Sequence, residues 1–488
     1  MIYDIAIIGA GITGANLAYE LSRYDLNILW LEKENDVSLG ATRANSAIIH
    51  AGYDPVPGSL MAELNLKGSR KYPELCRKLN AYYERVGSLV LAFNDQDKHA
   101  IEALFERGVK NGVEGLQILN RSETIEQEPT VNPDVVASLY APSAAIVLPW
   151  DICLALAEVA VREGVTLKLN AEVTNIQEDE QGDHWTIKTQ EGEYSTRYIA
   201  NAAGHGAEII HNMVAEPAFT LVPTRGEYYL LDHAVEPKPR RVLFQSPSPI
   251  TKGVLVTPTV HGNTLIGPNA EVIADGENTE SSVLGLSEVA QKARKSVQNL
   301  RFRENIRNFS GVRANQLIDE FHLDWAAPRF FDLAAIKSPG LASGPAIADY
   351  AIEQFAKAGL ELQAKEIWDG TREVIHFADL SEEEQADLIE QNPSYGRVIC
   401  RCQTITEGEI LESFQSPIPP QSIDAVKRRT GAGLGRCQGG FCGPRVHELM
   451  RKHLGLEAED VLQDRRGSYV VLGVNRAESS ESEDQVEA

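Results

Sequence analysis

Positive charge is what this chain has least of for its size: 46 Lys plus Arg stand against 70 Asp plus Glu, a formal net charge of -24 over 488 residues. That balance argues against nucleic acid as a partner and against general attraction to anionic lipid, both of which need a basic face. Long apolar runs are missing too. No stretch approaches the roughly 20 apolar residues of a membrane-spanning helix. The apolar segment near the N-terminus follows Asp4 rather than a basic cluster, so neither a signal peptide nor an anchor is expected. Cysteine is scarce, six in all, which excludes a disulfide scaffold in a chain this long. Four of the six, Cys400, Cys402, Cys437 and Cys442, gather near the C-terminus as metal ligands do, and a reducing, cytoplasmic setting is expected. Cys76 and Cys153 stand alone in apolar contexts and read as core residues. No internal repeat is present, and residues 477–488, acidic and nearly devoid of large apolar groups, are expected to be disordered.

What is present is ordinary globular composition, 43% hydrophobic and 24% charged. The length exceeds what one core supports, so two or three domains are expected. Ile2 to Ile8 reads as a buried strand running into Gly9-Ala-Gly11-Ile-Thr-Gly14 and an apolar-periodic helix carrying Ala15, Ala18 and Leu21. A second strand, Asn27 to Leu31, ends on Glu32, about twenty residues after the glycines, where a dinucleotide fold places the acid that binds a ribose hydroxyl. Glycines there let the backbone approach a pyrophosphate, and the helix start offers N–H groups to its charge. By themselves they fit NAD as well as FAD.

Farther along, the loop from Gly40 to Tyr53 contains His50, which on the residues alone reads as a satisfied histidine in a turn. A helix is expected from Pro149 to about Gly164, then short antiparallel strands at Thr166, Ala171 and Trp185, then a buried strand ending at Asn201-Ala-Ala-Gly204. Alternating segments broken by proline and glycine between 215 and 330 predict a mostly antiparallel substrate domain. Gly344-Pro345 precedes a helix predicted from Ala346 to about Phe355. The acidic stretch around Glu382 reads as a connection to the cysteine-bearing module.

Several of these motifs, in this order, resemble the D-amino-acid-oxidase-like flavoproteins, in particular the branch containing glycerol-3-phosphate and L-2-hydroxyglutarate dehydrogenases and oxidases. The resemblance covers residues 1 to about 360. It rests on the glycine fingerprint, Asn45-Ser46 with His50-Ala-Gly52, Asn201-Ala-Ala-Gly204, Gly311-Val-Arg313 and Ser338-Pro-Gly-Leu341. It implies FAD held by Gly9, Gly11 and Gly14 at the pyrophosphate and Glu32 at the adenosine ribose, with the Val173 backbone at the adenine. Thr42, Asn45 and Ser46 would wrap phosphates and ring, and Gly204, Gly340 and Leu341 would close the remaining side. It also moves His50 beside the flavin.

The C-terminal module resembles the bacterioferritin-associated-ferredoxin-like domain, as found at the end of the large subunit of anaerobic glycerol-3-phosphate dehydrogenase, through Cys400-Arg-Cys402 and Arg436-Cys437-Gln-Gly-Gly-Phe-Cys442. Between Cys402 and Cys437 lie 34 residues that read as helix, loop, helix, and the second pair has four intervening residues, two more than in the stand-alone ferredoxins. Four thiolates hold iron–sulfur or zinc, and spacing alone does not decide between them. The resemblance implies a two-iron two-sulfur cluster.

The expected architecture is α/β and α+β. A Rossmann-like FAD-binding domain (about 1–80, 145–214 and 331–360) joins an antiparallel-sheet substrate domain (about 81–144 and 215–330). A linker (361–394) leads to a small helical iron–sulfur domain (395–460). The expected activity is dehydrogenation of a small anionic secondary alcohol, most simply glycerol 3-phosphate. The alternatives are L-2-hydroxyglutarate or another 2-hydroxy acid, an amine or imino acid, and a non-catalytic electron-transfer subunit. His50 is the expected base, Arg313 the anion ligand through its bidentate fork, and Lys252 a second candidate for charge or proton handling. Arg225 is weaker and reads as a strand terminator. Electrons would leave to a partner subunit or carrier, through which the chain would meet a membrane.

Overall fold

The computed structural model describes residues 1–247 and 253–473, so Lys252 and the expected tail at 477–488 lie outside the described residues. The chain divides into two compact units: 1–375 with the short segments 416–418 and 435–438, and 376–415, 419–434 and 439 onward.

In the first unit, β1 (Ile2–Ile8) enters the interior as a run of branched apolar residues and stops at Gly9. Gly9 takes φ +100°, and a Cβ there would lie 2.5 Å from the Ala202 carbonyl oxygen, so only glycine fits. The helix α1 (Ile12–Leu21) starts at once on Gly11, with no side chain capping it from that position. A second strand, β2 (Ile28–Leu31), pairs parallel with β1 on one side, and β3 (Gly192–Asn201) pairs parallel with it on the other. Outward from β3 come Trp185–Thr189 and Val173–Glu178, antiparallel as expected. Thr166–Lys168 is not part of that antiparallel group: it pairs parallel with β2 at the opposite edge. Helix α1, the helix Pro149–Arg162 and a third helix toward the C-terminus cover this sheet with the largest apolar cluster, in which Ala15, Leu17, Cys153, Ile347 and Phe355 are buried.

Among the described residues the second sheet has nine strands and is antiparallel except where Val242–Gln245 runs parallel to Ser88–Ala92. Its longest pair is β4 (Leu221–Leu231) with β5 (Asn305–Gln316), in a register that sets Thr224 opposite Arg313, Gly226 opposite Gly311 and Tyr228 opposite Phe309. The strand His322–Ala327 falls inside the range expected for this domain, but it pairs with Phe330–Ala334, a member of the first sheet.

The third helix, α2 (Gly340–Lys357), begins six residues earlier than Gly344-Pro345 suggests. Pro345 sits within it. Lacking an N–H, it leaves the carbonyl four residues back without its helical donor. That carbonyl is Leu341's, and it accepts the Tyr72 hydroxyl at 2.5 Å.

Residues 361–375, expected as linker, are integral to this unit. Asp25 N–H donates to the Gln363 carbonyl, the Tyr19 hydroxyl donates to the Gly370 carbonyl at 2.9 Å, and the Trp368 ring meets Tyr19 edge-on. Arg372 is buried and binds both Glu158 (2.7 Å) and Asp151 (2.9 Å) of the helix Pro149–Arg162.

The second unit starts with a helix, Glu382–Gln391, whose Ser381 and Glu384 form a reciprocal capping box. Around an apolar centre of Ile405, Ile410, Val426, Val446 and Met450 pack the short strands Val398–Cys400 and Ile405–Thr406 and the helices Glu407–Ser413, Ile423–Thr430 and Gly443–Leu454. The interval between the cysteine pairs is helix, loop, helix, as its pattern predicts.

Replacing Arg372 with Met strands two buried carboxylates, a loss of about 3–5 kcal/mol by the usual cost of breaking a buried pair. Thermal unfolding monitored by tryptophan fluorescence should show a clearly lowered midpoint, and an unchanged midpoint removes the ion pair from the stability of this unit.

Candidate functional site

Ligands in open α/β sheets bind beyond the carboxyl ends of strands where the strand order turns back. Here that place is the end of β1, flanked by β2 and β3. The indole of Trp30 donates to the Gly9 carbonyl at 3.0 Å, and a Cβ on Gly14 would strike the same carbonyl at 2.1 Å, so turn and helix are pressed together. Thr42 accepts the Ile12 N–H at 2.9 Å through Oγ1, covering the start of α1 from the side. The Glu32 carboxylate accepts from the Ala10 N–H (2.6 Å) and the Glu34 N–H (3.0 Å). Burial pushes its pKa up, more than those two donors bring it down. Two accepted bonds leave lone pairs free for a ribose hydroxyl.

Asn45 holds the loop rather than presenting its amide: Nδ2 donates to the Ala41 and Thr42 carbonyls and Oδ1 accepts the Ala47 N–H. Ser46 Oγ lies 3.3 Å from the Tyr228 hydroxyl. Val173 opens its strand opposite Thr189, just before a register shift, and Gly204 has φ +61°. Gly340 is tightly enclosed, since a Cβ there would meet Ile336 at 2.4 Å.

Ser38 was not legible as a site residue, lying in an unremarkable Asp-Val-Ser-Leu stretch. Its N–H donates to the Ala10 carbonyl, yet its buried hydroxyl has no hydrogen-bond partner among the described residues. A buried hydroxyl left over beside the β1 turn fits a site meant to receive a polar group. The start of α1 on a glycine that brings no side chain of its own, the glycine turn and this hydroxyl together suit a diphosphate.

His50 follows the short strand Ile48–Ile49. Its Nε2 lies 3.2 Å from Ser338 Oγ, its ring packs against Phe244, and its carbonyl accepts from Asn65 Nδ2. Arg313 extends across β4: its Nη2 donates to the Asn269 carbonyl at 2.9 Å and passes over Gly226, where a Cβ would collide with it at 2.1 Å. Opposite Gly226, a Cβ on Gly311 would strike the Ala44 carbonyl at 2.0 Å. Cross-strand partners share a face. One face of β4 and β5 therefore carries Arg313, the bare glycine pair and Tyr228, and it is pressed onto the 40–47 loop. Arg225 points to the other face, where Nη2 binds Glu271 (2.7 Å) and Nη1 binds Asn278 (3.1 Å), so it is more than a strand terminator.

A family model for FAD dependent oxidoreductases matches residues 4–354. The chain belongs to this family. A second model, the BFD-like 2Fe-2S binding domain, matches residues 398–452, so this oxidoreductase binds FAD and carries a two-iron two-sulfur domain, and zinc is set aside. It is 44% identical over 479 residues to a glycerol 3-phosphate dehydrogenase of Caloramator mitchellensis, covering 98% of this chain and 99% of that one. A glycerol 3-phosphate oxidase of Mycoplasma genitalium is 34% identical over 75% of this chain and 97% of its own. Among solved structures, a dithionite-reduced L-alpha-glycerophosphate oxidase of Mycoplasma pneumoniae with FAD bound superposes with a TM-score of 0.73 at 29% identity, over 77% of this chain and 99% of that one.

In the second unit of the oxidoreductase, Cys400 ends a strand, Cys402 lies with its sulfur 3.8 Å from that of Cys400, and Cys442 occupies the cap position of the helix Gly443–Leu454. A hydrogen bond with Cys442, together with burial, pushes the Cys400 thiol up. Coordination to iron would reverse that, because a coordinating thiol is deprotonated outright. Cys437 lies on segment 435–438, which groups with the first unit. Among the described residues no helix is long and apolar enough to cross a membrane.

Gly11→Val places branched bulk where a Cβ already comes within 3.3 Å of Thr42 Oγ1, filling the space a pyrophosphate needs. The purified variant should lack flavin absorbance, and wild-type flavin content would move the pyrophosphate away from this loop.

Proposed function

We propose that this oxidoreductase converts glycerol 3-phosphate to dihydroxyacetone phosphate, with His50 and Arg313 as the residues that act on the substrate. The observation that carries the reading is the shared face of β4 and β5: a guanidinium reaches across the glycine pair, on the same face as Tyr228, whose hydroxyl meets Ser46 of the 40–47 loop. In a chain 44% identical to a glycerol 3-phosphate dehydrogenase over nearly its whole length, the anion offered to that guanidinium is a phosphate.

Arg313 binds the phosphate through two parallel N–H bonds and so fixes the direction of the carbon chain. Its own orientation is set by the Asn269 carbonyl. His50 takes the proton of the secondary hydroxyl on Nε2, and Ser338 Oγ, on the same nitrogen, steadies the ring until substrate arrives. FAD, when bound, supplies the hydride acceptor for the carbinol C–H. Gly9, Gly11, Gly14, Ser38 and Thr42 hold its diphosphate, Glu32 its ribose and the Val173 backbone its adenine. Asn45, Ser46, Gly204, Gly340 and Leu341 line the rest of the groove. Cys400, Cys402, Cys437 and Cys442 hold the two-iron two-sulfur cluster, and a partner subunit or carrier receives the electrons and links the chain to a quinone pool.

The two substrate roles leave different kinetic signatures. Arg313→Lys keeps a charge but loses the fork, so KM for glycerol 3-phosphate should rise with little change in the rate at saturation. His50→Asn should slow flavin reduction at saturating substrate by about a hundredfold. It should also abolish the fall in rate on the acid side, because a protonated imidazole accepts no proton and asparagine has none to titrate. Stopped-flow flavin absorbance under anaerobic conditions reads both, and a His50 variant reducing flavin at the normal rate assigns the base elsewhere.

Cys437→Ser should remove iron and sulfide while leaving FAD bound, measured by metal analysis and visible absorbance of anaerobically purified protein. Retained iron and sulfide would exclude Cys437 as a ligand.

A further inference from the structure

Between the two-residue strand Glu271–Val272 and the cap residue Ser282, the second sheet sends out a segment with no regular structure, tightened by a turn in which Asp275 accepts the N–H groups of Glu277 and Asn278. Its base is fixed. Arg225, only 7% exposed, binds Glu271 at one end of the segment and Asn278 near the other. The Ile273 N–H donates to the Pro223 carbonyl, and Glu227 accepts from the N–H of Ser282.

The tip leaves the second sheet altogether. Glu277 Oε1 pairs with Lys33 Nζ and lies 2.8 Å from His205 Nε2. Lys33 comes two residues after the end of β2 and His205 four residues after the end of β3, and those two strands flank β1. Neighbouring strands stand about 4.8 Å apart. One carboxylate touching both residues therefore spans the carboxyl end of β1, above the Gly9–Gly14 turn. The segment lies close against this edge, since a Cβ on Gly276 would be 3.4 Å from the His205 ring. Burial alone would raise the Glu277 carboxyl, but the bonds from His205 and Lys33 outweigh it and bring the pKa down to about 2, so the bridge is charged at neutral pH.

We propose that residues 271–282 are a strap that retains FAD, with Glu277 as its latch to Lys33 and His205 across the mouth of the cofactor groove. The proposal rests on the cradle assigned to Gly9–Gly14, Glu32 and Gly204, and it assigns a retention role to residues that contact neither substrate nor the reacting part of the flavin. The cofactor enters and leaves only when the latch opens. Both halves are partly exposed, with side-chain exposures of 39% for Lys33 and 48% for Glu277, so the latch is a moderate barrier rather than a lock.

The test needs no substrate and stands apart from the assignment of glycerol 3-phosphate. FAD release from the holoenzyme is followed by the rise in flavin fluorescence after a dilution large enough to make rebinding negligible. Glu277→Gln should release FAD about three- to tenfold faster, the range expected for losing an exposed charged pair and its second arm. Added salt should speed release from the wild type and leave the variant nearly unaffected. Lys33→Gln combined with Glu277→Gln should be no faster than Glu277→Gln alone, because one interaction cannot be lost twice. His205→Gln, which cuts the other arm, should also accelerate release. A wild-type release rate in both Glu277→Gln and His205→Gln overturns the strap. Slower release from Glu277→Gln also overturns it, by showing that the carboxylate competes with the cofactor for the groove. Additive effects of the Lys33 and Glu277 changes overturn the latch as well.

Discussion

The end of β1 must stay bare. Its neighbours crowd it, with the Ala202 carbonyl against Gly9, the Trp30 indole on the Gly9 oxygen and Gly14 folded onto the same atom. What remains is faced by a helix start whose own N-cap residue, Gly11, has no side chain and whose one side-chain acceptor, Thr42 on Ile12, comes from the side. Filling it with side chains would satisfy the local backbone and end the function, because a diphosphate needs those N–H groups unshielded. The parallel strands on both sides, the three helices beneath and the 40–47 loop beside Thr42 all serve to hold that opening in shape.

The second sheet answers the same constraint from the opposite direction. It meets the elements around the first sheet at the glycine-bare face pressed on Ala44, through Tyr228 at Ser46 and Phe244 at His50, and at the tip of segment 271–282 with Lys33 and His205. The first of these also carries Arg313, the residue proposed to receive the substrate anion. One strand does both jobs by alternation, since Thr224, Gly226 and Tyr228 face the loop while Arg225 and Glu227 anchor the segment behind.

How much of this the sequence showed depended on range. Strand, glycines, helix, strand and Glu32 lie within about thirty residues, and their spacing carries their chemistry. His50 needed the family resemblance, because nothing near it in sequence distinguishes it from a core histidine; Ser338, which meets its ring, is 288 positions away. The meeting of Arg313 with Gly226, and of Gly311 with Ala44, depends on a strand register that no local pattern encodes. Arg225 read as a strand end for the same reason. The linker at 361–394 misled in another way: polar composition hid Arg372, whose acidic partners lie some two hundred residues back, and it hid a Ser381–Glu384 capping box that was visible in the residues themselves. The start of α2 was misplaced because Pro345 looks like a first-turn proline, and only Tyr72 explains how it is tolerated inside.

The paired glycines of β4 and β5 make two properties heritable only as one. A methyl group at Gly311 would push on the backbone of the 40–47 loop, and a methyl at Gly226 would push on the guanidinium proposed to face the substrate. On the roles proposed for Arg313 and the 40–47 loop, a lineage drifting toward a different substrate cannot begin there without disturbing its hold on the flavin. Next along the same face, Asn315 Nδ2 donates to Thr224 Oγ1 at 2.9 Å, and a change at either position breaks that bond without altering the glycine pair.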